Sequence, residues 1–171
     1  EISRGHKITI YLSGLISIIG GKWTTYRAMG EDVVDKAILL AGLPERVCIT
    51  CNLPIHGYKK TVDFSSPLYV YGSDIEQIRN LIFDKPQLEE RIHPDFPFIK
   101  AEIIWAVRGE MARTVEDFLA RRIRALLLDA KLSIKMSRTV AEIMAAEPDK
   151  DKVWVEEQIK TYKTLAKGYL I

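Results

Sequence analysis

The sequence predicts a mainly α fold, in which an N-terminal β-hairpin and helix lead through a linker into a C-terminal helical bundle. Three observations carry this reading. Short β-branched runs stand near the start, a stretch punctuated by proline and glycine follows without sustained periodicity, and apolar residues then recur at helical spacing. A chain of 171 residues, 47% hydrophobic and 28% charged, is long enough to bury a core, and one main domain with an appendage is the expected organisation.

Lys7 to Tyr11 and Leu15 to Ile19 are partly alternating runs, and Leu12-Ser13-Gly14 between them makes the pair a hairpin turning at Ser-Gly. Gly20-Gly21 breaks the second strand. From Thr24 to Leu40 a helix is expected, because Ala28, Val33, Val34, Ala37, Ile38 and Ala41 fall at helical spacing and Gly42-Leu43-Pro44 supplies the stop. Residues 43–72 carry Pro44, Pro54, Gly57, Pro67 and Gly72, and read as a linker between a domain of residues 1–42 and one of residues 73–171. Ser73 to Glu76 has the form of a capping box for a helix through Phe83, and Asp84 with Pro86 restarts a short helix toward Ile92. Ile99 to Arg108 places Ile99, Ile103, Ala106 and Val107 on one face ahead of Gly109. Thr114 then caps a helix from Val115 to Leu128, with an apolar stripe of Val115, Phe118, Leu119, Ile123 and Leu126. Two more helices are expected at Arg138 to Ala146 and Asp151 to Lys167, parted by Pro148-Asp149.

A net charge of +2, from 25 basic and 23 acidic side chains, gives no global reason to expect a nucleic-acid partner. No apolar run approaches the ~18 residues that span a bilayer. The sequence starts at Glu1 without a signal-peptide pattern and reads as an excised or processed piece. Two cysteines, Cys48 and Cys51, are too few for a disulfide framework, which suits a reducing cytoplasm.

The feature that carries chemistry is the turn Gly20-Gly21-Lys22-Trp23-Thr24-Thr25. A glycine pair between a strand and a helix lets backbone N–H groups approach a ligand closely, with the positive end of the helix dipole aimed at it. Lys22 adds a full positive charge, and the hydroxyls of Thr24 and Thr25 can cap the helix or bond a ligand oxygen. On spacing alone this is a generic anion or cofactor site, and a packing turn with a solvated lysine explains it more simply.

The string is more specific than its spacing. Gly20 to Arg27, continued by Ala28-Met29-Gly30-Glu31-Asp32-Val33-Val34-Asp35 and preceded by Ser13 to Ile19, resembles the last cofactor-domain strand and helix of FAD-dependent glycerol-3-phosphate dehydrogenases. Ile92-His93-Pro94-Asp95-Phe96-Pro97, Glu102 to Arg108 and Glu110 to Arg122 resemble the C-terminal helical domain of the same enzymes. The likeness therefore runs over most of the chain. It implies that residues 1–42 end an FAD-binding domain whose N-terminal part is missing here. It also implies that Gly20, Gly21, Lys22, Trp23, Thr24 and Thr25 face the cofactor, with Lys22 near both flavin and substrate. Arg27, one helical turn after Thr24, is a candidate for the substrate phosphate, although an arginine in the first turns of a surface helix is more often a structural pairing residue.

The reaction implied by the resemblance is oxidation of sn-glycerol 3-phosphate to dihydroxyacetone phosphate. Electrons pass to a membrane quinone, or to oxygen in the related oxidases, and the parent enzyme sits peripherally on the cytoplasmic membrane face. Hydride transfer leaves negative charge on the reduced flavin, which a helix N-terminus, worth about 0.3–2 kcal/mol, and an ammonium would stabilise. No base for the C2 hydroxyl is identified among these residues. Because no Gly-x-Gly-x-x-Gly fingerprint with a downstream acid is present, this chain alone is expected neither to hold FAD nor to turn over. The rival of a different class is a non-enzymatic helical interaction domain whose Gly-Gly turn is purely structural.

Other motifs favour plain readings. Cys48-Ile49-Thr50-Cys51 has only His56 as a further soft ligand nearby and sits in the linker, so neither a zinc nor a redox role is expected. His6 reads as a strand-edge residue and His93 as a pre-proline turn residue. Arg121, Arg122 and Arg124 follow Glu116 and Asp117 and lie near Glu102 and Glu110 in sequence, which favours pairing with acids or a solvated face over nucleic acid. Tyr26, Trp105 and Trp154 fit packing.

Overall fold

The structure is a computed structural model that describes residues 5–170; Glu1 and Ile171, the outer limits of the expected domains, lie outside them. It is mainly α with one two-stranded antiparallel sheet. The chain divides into two compact units, one running through Ile55 and the other starting at His56, inside the stretch read as a linker.

In the first unit, β1 (His6–Ile10) pairs with β2 (Ile16–Gly20) in the register His6 opposite Gly20 and Ile10 opposite Ile16. Gly14, at φ 84°, closes the hairpin by donating its N–H to the Tyr11 carbonyl. A short 3₁₀ turn, Trp23–Thr25, leads into α1 (Tyr26–Ala41). α1 ends as expected at Gly42, which adopts φ 63°, while the Leu43 N–H returns to the Ile38 carbonyl. His6 Nε2 lies 2.8 Å from Asp32 Oδ2 and ties β1 to α1. No described residue of this unit is buried, so the stripe expected on α1 has no covering layer: Val34 and Ala37 are exposed.

The second unit carries the core. α2 (Ile75–Asp84), a 3₁₀ turn at Pro86–Glu89 and α3 (Lys100–Arg108) enclose Ile78, Leu88, Ala101 and Ile104. α3, the segment 115–128, α5 (Ala130–Ala146) and α6 (Lys152–Lys167) surround Phe118, Leu119, Met136, Val140 and Tyr162. Each fully buried large apolar side chain contributes about 1.5–3 kcal/mol. The Tyr162 hydroxyl meets Ser133 Oγ inside this core.

Three expectations need correction. The capping box at Ser73 to Glu76 does not form. α2 starts at Ile75, and the Asp74 carboxylate is turned instead to His56 Nε2 at 2.7 Å. The cause is Gly72, whose φ of 55° lets its backbone press against the Gly57 carbonyl, to which the Ser73 N–H donates. Second, Val115 to Leu128 is not one helix. Thr114 does cap its start, accepting from the Asp117 N–H while the Asp117 carboxylate accepts from Arg113 and Thr114. A π turn at Asp117–Arg122 and a left-handed Arg124 then separate it from α4 (Ala125–Leu128). Third, α5 begins at Ala130, well ahead of Arg138, with Asp129 as its N-cap. Its buried face includes Ser133 and Ser137, which broke the apolar pattern in the sequence.

Candidate functional site

The Gly20–Thr25 turn is built by local geometry. Gly20 and Gly21 adopt φ of 94° and 75°, a region other residues reach only with strain. A Cβ on Gly21 would lie 2.4 Å from Met29 Sδ. The Gly21 N–H donates to the Gly5 carbonyl, fixing where the strand ends. Thr25 locks the next step: its Oγ1 accepts from the Lys22 N–H at 3.0 Å and lies 2.9 Å from the Lys22 carbonyl, to which its own N–H donates.

This arrangement divides the residues of the turn by role. Thr25 Oγ1 is engaged as a cap, so its hydroxyl serves the helix start. Lys22, Trp23 and Thr24 are exposed, and Trp23, at 86% exposure, stacks on Tyr26 with centroids 5.6 Å apart. Among the described residues the Lys22 ammonium has no ion pair, and no backbone carbonyl takes the N–H of Trp23 or Thr24. A cation and two free donors thus share one exposed helix start, an arrangement that favours a negative group.

Arg27 faces another way. Its Nη1 donates to Glu31 Oε2 at 2.6 Å and to Thr50 Oγ1 at 3.1 Å, pinning residues 48–51 to α1. The hydrogen bond it donates to Glu31 holds its pKa above the ordinary value. Cys48 and Cys51 are free thiols; Cys48 Sγ lies 3.0 Å from Thr50 Oγ1. Arg27, Val34, Ile38, Val47, Ile49 and Leu53 line an open, mainly apolar groove of about 730 Å3 within this unit. Among the described residues, no group of histidine, cysteine, aspartate and glutamate side chains could hold a metal ion.

In the second unit the arginine cluster divides. Arg121 pairs with Asp117 and Glu116, each at 2.5 Å, and Arg122 approaches Glu110. Arg124 has no ion pair or hydrogen bond of its side chain among the described residues. Sequence reasoning missed the pair beside them, Tyr71 and Glu102. The Tyr71 hydroxyl donates to Glu102 Oε1 at 2.8 Å and the Ile99 N–H donates to Glu102 Oε2 at 2.6 Å. Burial pushes Glu102 up to about 7 against the pull of those two donors, and burial followed by the adjacent carboxylate pushes Tyr71 far above the ordinary tyrosine range. A glutamate at the third helical position announced the Ile99 contact; nothing in the sequence announced Tyr71. His93 lies in its turn as expected, its Nδ1 accepting from the Asp95 N–H. Trp105 is half-buried, and its indole Nε1 has no partner.

Residues 64–153 match a family described as the C-terminal domain of alpha-glycerophosphate oxidase. Among curated proteins, the chain is similar to a probable mitochondrial glycerol-3-phosphate dehydrogenase of Caenorhabditis elegans, 34% identical across 86% of this chain and 23% of that protein. It is similar to the mitochondrial glycerol-3-phosphate dehydrogenase of Mesocricetus auratus, 33% identical across 94% of this chain and 25% of that protein. An Arabidopsis thaliana mitochondrial glycerol-3-phosphate dehydrogenase is 31% identical across 95% of this chain and 31% of its own length. The chain thus spans about a quarter to a third of the length of these relatives. No solved structure matches it.

Proposed function

The chain belongs to the glycerol-3-phosphate dehydrogenase and glycerophosphate oxidase family, whose members are oxidoreductases and generally FAD-dependent, and from that premise we propose that its Gly20–Thr25 turn forms one wall of a flavin site. The observation that carries the proposal is the unpaired Lys22 ammonium beside the free N–H groups of Trp23 and Thr24. These donors fit the group: an exposed, positive helix start beside a glycine pair suits an electron-rich ring edge. Bound there, FAD supplies the acceptor for the hydride lost from C2 of sn-glycerol 3-phosphate.

The chain's own residues hold charge and shape. Lys22 and the two N–H groups oppose negative charge developing at the turn, while Thr25 and the glycines keep the backbone in place. The polar groups offered here are an ammonium, backbone N–H groups and the Thr24 hydroxyl, none of them a ready proton acceptor near neutral pH, so the base for the C2 hydroxyl comes from elsewhere in the whole protein. Arg27, held by Glu31 and Thr50, serves as a clamp, and its remaining guanidinium donors are the part open to a substrate phosphate. In the whole protein the product is dihydroxyacetone phosphate and the electrons go to a quinone, which requires the enzyme to reach a membrane surface from the cytoplasmic side. We place that contact at the membrane surface; among the described residues no helix is long and apolar enough to cross a membrane. The second reading, an oxidase with oxygen as acceptor, has the description of the matched family in its support, and peroxide formation distinguishes it.

The test uses the whole protein with the upstream chain restored. Lys22→Ala is expected to lower the rate of glycerol-3-phosphate-dependent flavin bleaching by about 10²-fold, the scale of losing one preorganised charge-stabilising donor. An unaltered bleaching rate and an unaltered flavin potential would refute the role given to Lys22. The isolated chain is expected to purify colourless and inactive; a yellow fragment would overturn that expectation.

A further inference from the structure

The helical unit contains a cavity that the proposed flavin chemistry does not use, and this inference is independent of that reading. The cavity, about 540 Å3, lies among Tyr71, Phe98, Glu102, Glu110, Arg122 and Arg124. Its size is that of a small-molecule pocket. Its lining combines aromatic rings, two carboxylates and, in Arg124, a guanidinium with no ion pair among the described residues.

Three departures from regular backbone lie along the chain segment, residues 110–124, that supplies much of this wall. Met111 adopts φ 60° just after Glu110, Asp117–Arg122 forms a π turn, and Arg124 adopts φ 57°. Left-handed backbone at a non-glycine residue is unfavourable and tends to persist where it serves a site, and π turns are found disproportionately at such places. The backbone at Arg124 has its own local task, since its carbonyl accepts from the N–H groups of Leu127 and Leu128. Glycine would perform that task with less strain. An arginine there is explained by its side chain, and that side chain has no partner among the described residues. Arg121 and Arg122, by contrast, are committed to Glu116, Asp117 and Glu110.

We propose that this cavity binds a small hydroxylated organic anion, a phosphomonoester or carboxylate, whose charged group pairs with Arg124 and whose hydroxyls donate to Glu102 and Glu110. The anion meets a guanidinium able to form two parallel hydrogen bonds. The hydroxyls meet acceptors already oriented by Tyr71, the Ile99 N–H and Arg122. Phe98 and the ring of Tyr71 add apolar surface to the same lining.

The test is calorimetric titration of the 171-residue chain with glycerol 3-phosphate, glycerate and inorganic phosphate, the last separating the anion from the hydroxyls. Saturable binding of glycerol 3-phosphate or glycerate is expected, at least tenfold tighter than inorganic phosphate. Preference between the first two identifies the anionic group. Arg124→Gly is expected to weaken binding at least tenfold while raising the melting temperature, because glycine relieves the left-handed backbone as it removes the charge. Arg124→Gln is expected to weaken binding equally with little change in melting temperature. Absence of saturable binding to the unaltered chain at 10 mM probe, or undiminished binding by both variants, overturns the proposal.

Discussion

Glu102 makes the stability of the helical unit depend on pH in a direction opposite to that of most acidic residues. Its pKa is pushed from an ordinary 4.5 to about 7 by burial. The folded state therefore binds a proton more tightly than the unfolded state. This contribution is fully present below pH 4.5 and is lost as pH rises through 7. At about 1.4 kcal/mol per unit, the gap corresponds to about 3 kcal/mol. Glu102→Gln should abolish this dependence at little structural cost. The amide oxygen can accept from the Ile99 N–H as the carboxylate does, and the amide nitrogen can donate to the Tyr71 hydroxyl oxygen. The assay is urea denaturation followed by helical circular dichroism at intervals from pH 5 to pH 8. The variant is expected to gain on the unaltered chain by about 2.5 kcal/mol across that range, the part of the gap that lies above pH 5. Taking the difference between the two proteins isolates Glu102 from every other titrating group. Parallel pH profiles, or a variant that loses ground as pH rises, would refute the reasoning.

Other predictions rest on steric and hydrogen-bond geometry. A Cβ on Gly72 would stand 1.8 Å from the Gly57 carbonyl oxygen at φ 55°, so Gly72→Ala should destabilise the helical unit by about 3 kcal/mol or more in the same denaturation assay. Tyr162→Phe strands the buried Ser133 hydroxyl and should cost about 1–3 kcal/mol; adding Ser133→Ala should recover part of that loss, a coupling that a double-mutant cycle reads directly.

The helices were most legible where a local chemical signal marked them. Asp151 caps α6 by accepting from Trp154, and Gly42 ends α1 in the left-handed conformation, both readable from residue type and position. The signals failed where tertiary partners overrode them. Asp74 and Ser73 have the composition of a helix cap, but His56 and the Gly57 carbonyl engage the carboxylate and the backbone. The start of α5 was hidden because Ser133 and Ser137 occupy its buried face. Their hydroxyls are satisfied by Tyr162 and by the Ile134 carbonyl, contacts that no periodicity reveals.

The candidate site divides along the same physical line. The turn's shape is legible because it is made locally: two glycines of positive φ and a threonine that closes on Lys22 need nothing distant in sequence. Its chemistry was legible only by resemblance, because a free ammonium and free N–H groups state a preference for negative charge without naming what supplies it. The packing around it sharpens that point. Apolar Val34, Leu39, Leu40, Val47 and Ile49 are exposed, and no described residue of the first unit is buried. A two-stranded hairpin and one helix are too small to enclose a core by themselves. The energetics of the turn therefore depend on what covers these exposed apolar side chains. Excluding water from its surroundings would strengthen the interaction of Lys22 with a bound negative charge, because the effective dielectric constant falls. Lys22→Ala should consequently cost more in the restored whole protein than any effect on the fold of the isolated chain, where the ammonium is solvated.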